Sequence, residues 1–147
     1  METTFVIIKP NGVKYGLIGE IIARFEKSRL SVSGLKLKTI TKTEAEAFYG
    51  EHKERGFFPE LVAFMTSGPS VLIALSGEKA IEKVRTINGA TNPANASAGT
   101  IRHDFAPNTG ENIVHSSDSP ESAAREVDFW FQKSEIVTYP AYSFIRG

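Results

Sequence analysis

The sequence predicts an α+β sandwich of βαββαβ order, with a four-stranded antiparallel sheet, helices on one of its faces and a long loop before the last strand. Three observations lead there. Phe5 to Ile8 and Val71 to Leu75 are short unbroken apolar runs of the kind that form buried strands. Between and after them, apolar residues recur at helical spacing. From Gly89 to Glu111 neither period holds.

Thr4 to Lys9 is the first strand, closed by Pro10 and Gly12, with Lys9 at its end. Ile18, Ile21, Ile22 and Phe25 then fall at i, i+3, i+4 and i+7, the stripe of an amphipathic helix. From Leu30 to Ile40 the alternation Leu30, Val32 slips by one before resuming at Leu35 and Leu37, so Gly34 marks a bulge in the second strand. Thr43 and Glu46 have the spacing of a capping box, and the helix that follows carries Ala45, Phe48, Tyr49 and His52 on one face. A short helix from Glu60 to Met65 is stopped by Ser67, Gly68 and Pro69.

Ser70 to Ser76 is the third strand. Ala80, Ile81, Val84 and Ile87 pattern a helix over Glu78 to Asn88, with Gly89 as its C-terminal stop. The 23 residues from Gly89 to Glu111 hold three Gly and two Pro, and structureless loops of that length in small domains are disordered or functional. A short strand follows at Asn112 to His115. Ser119 caps the last helix, with Pro120 at its first position, Glu121 in its first turn and a stripe of Ala123, Val127, Trp130 and Phe131. The tail from Glu135 to Gly147 reads as irregular and surface-bound.

Composition narrows the function classes. At 147 residues the chain is one domain, residues 1–147, and 41% hydrophobic residues suffice for one core. Lys plus Arg and Asp plus Glu number 17 each, so no net charge draws the protein to nucleic acid or an anionic membrane, and any anion site is local. The absence of Cys excludes disulfides, thiolate metal sites and a cysteine nucleophile, and fits a reducing compartment. No apolar run approaches the roughly 20 residues of a membrane helix, and METTFVIIKP lacks the basic start and apolar stretch of a signal peptide. A cytoplasmic protein is the expectation.

The P-loop pattern, the dinucleotide fingerprint and H-E-x-x-H are all missing, and the chain is too short for the protein-kinase motif set. What remains is a polar cluster in the long loop and its exit: Thr91, Asn92, Thr100, Arg102, Asn112, His115, Ser117, Asp118 and Ser119. Such a loop can simply satisfy its own backbone. Two details point further. His115 follows Ile113 and Val114 at the end of a strand, where a side chain is held rigidly. Helical spacing also puts Glu126 at the edge of the last helix's apolar stripe, where a carboxylate reaches an imidazole and fixes its tautomer, or simply stands at the rim.

The segments FVIIKPNGV, FYGEHKERGFFPELVAFMTSGP, GATNPANASAGTIR and ENIVHSSDSPESAAREVDFWF, in unbroken order from Thr4 to Phe131, resemble a nucleoside diphosphate kinase. The resemblance implies a ferredoxin-like fold and ping-pong transfer of a γ-phosphoryl group between nucleotides, with His115 as the phosphorylated nucleophile and broad base specificity. It implies that Glu126 holds the ring, that Ser117 supports Glu126 or a product oxygen, and that Tyr49 lies near the histidine. Lys9, Arg85, Thr91 and Arg102 would supply cations and donors to the phosphates, with Arg55 at the cleft edge. Phe57 would stack on the base, and Asn112 with Lys9 would contact the ribose.

Mg²⁺ would be held by phosphates and water rather than by a carboxylate cage. The implied assembly is a homo-oligomer, hexamer ahead of tetramer, with no membrane and no specific nucleic-acid partner. The chain departs from the family pattern at Ser116 and His103, where glycine is usual, at Gly56 and Ala98, where proline is common, and at Thr109, where an apolar residue commonly completes the base clamp. A positive φ at Ser116 would cost about 1 kcal/mol. A catalytically silent nucleotide or single-strand binder and a small-ligand regulatory module are the competing classes.

Overall fold

The computed structural model describes residues 1–141. In chain order its elements are β1 (Glu2–Ile8), α1 (Pro10–Lys14), α2 (Ile18–Lys27), β2 (Ser31–Thr39), α3 (Lys42–Phe48), α4 (Phe58–Met65), β3 (Pro69–Gly77), α5 (Ala80–Asn88), α6 (Ile101–Phe105), β4 (Val114–Ser116) and α7 (Pro120–Trp130). The four strands form one antiparallel sheet of order β2-β3-β1-β4. Each sequence-adjacent apolar run thus lands at the centre, with β1 paired to β3 from Glu2↔Gly77 to Ile8↔Val71. This is the ferredoxin-like arrangement.

Helices cover both faces rather than one. Val6, Ile8, Val71, Ile73 and Leu75 pack against Ile21 and Phe25 of α2 and Ala80 and Val84 of α5. Phe5, Ile7, Leu72 and Ala74 pack against Ala45 of α3, Met65 of α4 and Trp130 of α7. The reason lies in β1 and β3: every residue of Phe5 to Ile8 and of Leu72 to Leu75 is fully buried, which requires two apolar layers.

Several local readings need correction. The capping box is at Thr41, not Thr43: the Thr41 hydroxyl accepts from the Glu44 N–H at 3.1 Å and the Glu44 carboxylate accepts from the Thr41 N–H at 2.9 Å. Both threonines have a Glu three residues on, and the one that precedes the helix wins because only a residue with extended backbone can cap. The extra residue of the β2 bulge is Ser33, between Val32 and Gly34. Pro10 opens a short helix instead of only ending β1, since proline is preorganised for the first helical position.

The long connection is not structureless. It contains a 3₁₀ turn at Pro93–Asn95 and α6, whose Thr100 hydroxyl accepts from the His103 N–H. Phe131 leaves the α7 helix with φ −128° yet remains buried. The tail is tied down: a 3₁₀ turn at Lys133–Glu135 is followed by Val137, whose N–H donates to the Ser33 carbonyl at 2.8 Å, and the Tyr139 hydroxyl accepts from the Val32 N–H at 2.8 Å. Residues 142–147 of the expected tail lie outside the described residues. Among the described residues no helix is long and apolar enough to cross a membrane.

The two capping assignments differ measurably. Thr41→Ala is expected to lower unfolding free energy by about 1 kcal/mol, and Thr43→Ala by less than about 0.5 kcal/mol. Urea unfolding of both variants checks this, and the reverse ranking would restore the Thr43 box.

Candidate active site

β4 places the site. Its three residues pair with the central strand through Val6↔Ser116, Ile7↔His115 and Ile8↔Val114. His115 therefore stands on an edge strand bound to the fully buried Val6 to Ile8 of the central strand β1, walled by the rings of Phe48 at 5.5 Å, Phe5 at 6.1 Å and Tyr49 at 6.4 Å between centroids. Its Nε2–H donates to Glu126 Oε1 at 2.8 Å, and the Ser117 hydroxyl donates to the same oxygen at 2.8 Å. Glu126 comes from α7 and is buried, so the carboxylate has few alternatives to this geometry. Fixing the proton on Nε2 leaves the lone pair on Nδ1.

The backbone before the histidine is strained. Ile113 has φ +75°, and the Val114 N–H donates across it to the Asn112 carbonyl at 2.9 Å. That is a γ-turn of the rare hand, unfavourable for any L residue and most of all for a β-branched one. Surroundings hold it in place. The Ile113 carbonyl accepts from the Lys9 N–H at 2.7 Å, and its side chain is fully buried against Gly12, where a Cβ would sit 2.8 Å from Ile8 Cγ2 and 3.1 Å from Ile113 Cγ2. Ser116, by contrast, lies within β4 and is not among the residues with positive φ, so serine carries no backbone penalty there.

Beside His115 and Glu126 opens a cleft of about 430 Å³. Lys9, Arg85, Thr91, Arg102 and Asn112 line it. Lys9 Nζ donates to Asn112 Oδ1 at 2.8 Å, and Asn112 Nδ2 donates to the Thr91 carbonyl at 3.1 Å. The Arg102 guanidinium donates to the carbonyls of Gly89 at 2.8 Å and Val114 at 2.7 Å, while its Nε is buried without a partner. Burial, and then the Arg102 charge, bring the Lys9 ammonium down to about 8. Burial, and then Arg85, lower Arg102 to about 10. A pocket that disfavours its own cations stands ready for a polyanion.

The remaining expected residues stand around this cleft. Tyr49 lines an adjoining cavity with His115 and Glu126; its hydroxyl is buried without a partner, and burial followed by the Glu126 charge raises it above the ordinary tyrosine range. Ser117 sits behind Glu126. Arg55 and Phe57 lie on the α3–α4 connection, lining neither cavity, with the Arg55 guanidinium 6.0 Å from the Phe57 ring and that ring 47% exposed. His52 and Arg125 line both cavities, and sequence reasoning gave neither a role. Arg125 had a legible signal, since i, i+3 spacing puts it on the helix face of Ser122, directly before Glu126. Asp118, held low chiefly by the hydrogen bond from Ser122, is the carboxylate on the Arg85 side. The arrangement suits nucleophilic attack by an oriented imidazole on a group whose negative charge meets fixed cations.

Known proteins share this framework. The family model described as nucleoside diphosphate kinase matches residues 2–136. A nucleoside diphosphate kinase of Methanosarcina mazei is 52% identical over 139 residues, covering 95% of this chain and 93% of that protein. One from Halalkalibacterium halodurans is 53% identical over 139 residues, covering 95% of each. Among solved structures, the Aquifex aeolicus nucleoside diphosphate kinase superposes with a TM-score of 0.90 at 43% identity, covering 92% of this chain and 99% of that one. The Encephalitozoon cuniculi enzyme gives 0.91 at 37%, covering 95% of each. Fold and sequence agree across nearly the whole chain, which belongs to the nucleoside diphosphate kinase family of phosphotransferase enzymes.

Proposed function

We propose that residues 1–147 form one domain that moves a γ-phosphoryl group from a nucleoside triphosphate, typically ATP, to a nucleoside diphosphate by way of a phosphohistidine on His115. The observation that carries this reading is the hydrogen bond from His115 Nε2–H to Glu126, which leaves Nδ1 as the nucleophile toward the cleft. In the first half-reaction Nδ1 forms a bond to the γ-phosphorus as the bond to the β,γ-bridging oxygen breaks, and the diphosphate leaves with that electron pair. In the second, a terminal oxygen of the incoming diphosphate attacks the same phosphorus and Nδ1 recovers its lone pair. The Nε2 proton stays in place throughout, and Glu126 offsets the charge that develops on the ring.

Lys9, Arg102 and Arg85 take up the charge spread over the phosphate oxygens, with Thr91 as a further donor. Lys9 and Asn112, already paired, turn toward the ribose hydroxyls. The half-exposed Phe57 ring offers a stacking surface that accepts any base, and Arg55 closes its edge, which supports broad base specificity. Tyr49 and Ser117 keep the His115 and Glu126 geometry closed on the far side. Mg²⁺ would be held by phosphate oxygens and water, and would there neutralise charge on the transferred group. The absence of cysteine fits a cytoplasmic setting.

Assembly belongs to the same reading. Leu35 and Leu37, 55% and 66% exposed, stand on the edge strand β2, a surface suited to cover by a second copy. Two-fold pairs of this kind would then build a hexamer in preference to a tetramer. Light scattering is expected to give several times the 16.1 kDa chain mass, and a monomer would refute the assembly.

Exposure of the protein to γ-labelled ATP is expected to give an acid-labile, alkali-stable phosphoenzyme. His115→Ala should abolish both that label and turnover while leaving nucleotide binding nearly intact. Retained turnover in the variant would end the phosphohistidine mechanism.

Lys9 gives a pH signature. Bound phosphates stabilise its charged form, so with a free-site value near 8 binding takes up a proton above that pH. ADP affinity should be full below about pH 8 and fall toward tenfold per pH unit above it. Calorimetric titration across that range checks the sign, and a flat profile would remove Lys9 from the phosphate site.

A further inference from the structure

On its outer side, the segment that carries Arg102 is held from α2. α6 is only five residues long and sits inside a 23-residue connection, too short to hold its own shape in water. It is held on two sides. Inward, Ile101 is fully buried in the core shared with α2 and α5, Phe105 packs against that core, and Arg102 bonds the Gly89 and Val114 carbonyls. Outward, a single side chain of α2 clasps it: Arg24 Nη1 donates to Asp104 Oδ2 at 2.9 Å and to the Gly99 carbonyl at 3.1 Å.

The clasp closes on itself. Asp104 Oδ1 accepts from the Gly99 N–H at 3.2 Å, so both backbone groups of Gly99 are bound by the Arg24–Asp104 pair. The Arg24 guanidinium lies 4.8 Å from the centroid of the Phe105 ring, and its other nitrogens are engaged by Glu20 at 3.1 and 3.2 Å. Neighbouring Phe25 is fully buried, which makes α2 a rigid base. The pinned stretch therefore runs from Gly99 to Phe105 and brackets Arg102.

Arg102 depends on that backbone. It is held in the cleft by two carbonyls, one from Gly89 at the start of the loop and one from Val114 after it, and nothing pairs its buried Nε. A shift of α6 along the surface would move the guanidinium off both carbonyls. A displacement near 1 Å matters for a group that must meet phosphate oxygens.

We infer that Arg24, which lies outside the cleft, is a positioning residue for phosphate binding: through Asp104 and Gly99 it fixes α6 so that Arg102 points at the nucleotide phosphates. This rests on the reading that Arg102 binds those phosphates. Arg24 divides its guanidinium between Asp104 and Gly99 on one side and Glu20 on the other while lying over Phe105, so lysine at this position keeps the charge and loses the fork.

The test is a double-mutant cycle on ADP affinity, read by calorimetry beside thermal unfolding and the kcat and KM values. Arg24→Ala and the near-isosteric Asp104→Asn should each weaken ADP binding by on the order of tenfold, chiefly through KM, and Arg24→Lys should recover part of the loss. In an Arg102→Ala background, Arg24→Ala should change affinity by less than about twofold. Lowered melting temperature with unchanged affinity would mean a merely structural contact and overturn the inference. An equal loss with and without Arg102 would overturn it as well, because Arg24 would then act by another route. Should Arg24→Ala fail to fold, Asp104→Asn carries the cycle. A parent protein that neither binds ADP nor forms phosphoenzyme would instead defeat the functional reading itself.

Discussion

The γ-turn at Ile113 is the constraint on which the site depends. It reverses the chain over a single residue, so that Asn112 faces the cleft, the Ile113 carbonyl faces β1 and Val114 begins β4 at once. Each of these positions is used. Asn112 receives Lys9 Nζ, the Ile113 carbonyl receives the Lys9 N–H, and the Val114 carbonyl receives Arg102. A strained residue costs on the order of 1 to 3 kcal/mol, and here the surrounding bonds and the tight fit against Gly12 offset it. Relaxing Ile113 to an ordinary φ would shift His115 out of register with Ile7.

The same turn explains how cations gather in a protein of zero formal charge. Lys9 and Arg102 approach each other because both are bound to the two sides of one short segment, residues 112–114. Loss of hydration, and then the charge of Arg102 on Lys9 and of Arg85 on Arg102, show as lowered proton affinity, which favours the arrival of an anion. On the other side of the histidine, burial and then the Glu126 charge raise Tyr49. His115 thus stands between a cationic wall and a carboxylate, with a direction to its electrostatics.

Rigidity comes from the sheet, and it reaches the loop by separate routes. β4 is three residues long, yet it adds to a central strand buried on both faces, so a short strand suffices. The connection from Gly89 to Glu111 has no such partner. Gly89 itself needs φ +86°, and a Cβ there would come within 2.5 Å of Thr100 Oγ1, so the loop begins pressed against its own helix α6. From there the Arg102 bonds inside and the Arg24 clasp outside share the task.

Local pattern determined β1, β2 and β3, the α2, α5 and α7 helices, the Gly89 stop and the cap at Ser119, because each rests on side-chain period or on chemistry within one turn; the last strand begins at Val114 rather than at the expected Asn112, because the γ-turn takes up Asn112 and Ile113. The same logic misjudged Thr41 against Thr43, since two identical spacings overlap and only the backbone's extended residue can cap. The candidate residues His115, Lys9, Arg102 and Asn112 could be picked out by motif and by position at strand ends or in the loop. That His115 and Glu126 meet at 2.8 Å, that Lys9 and Asn112 pair across 103 positions, and that a β-branched isoleucine takes a positive φ could not. Those facts depend on contacts between distant segments, which no local period encodes, and tertiary packing alone supplies the energy that holds them.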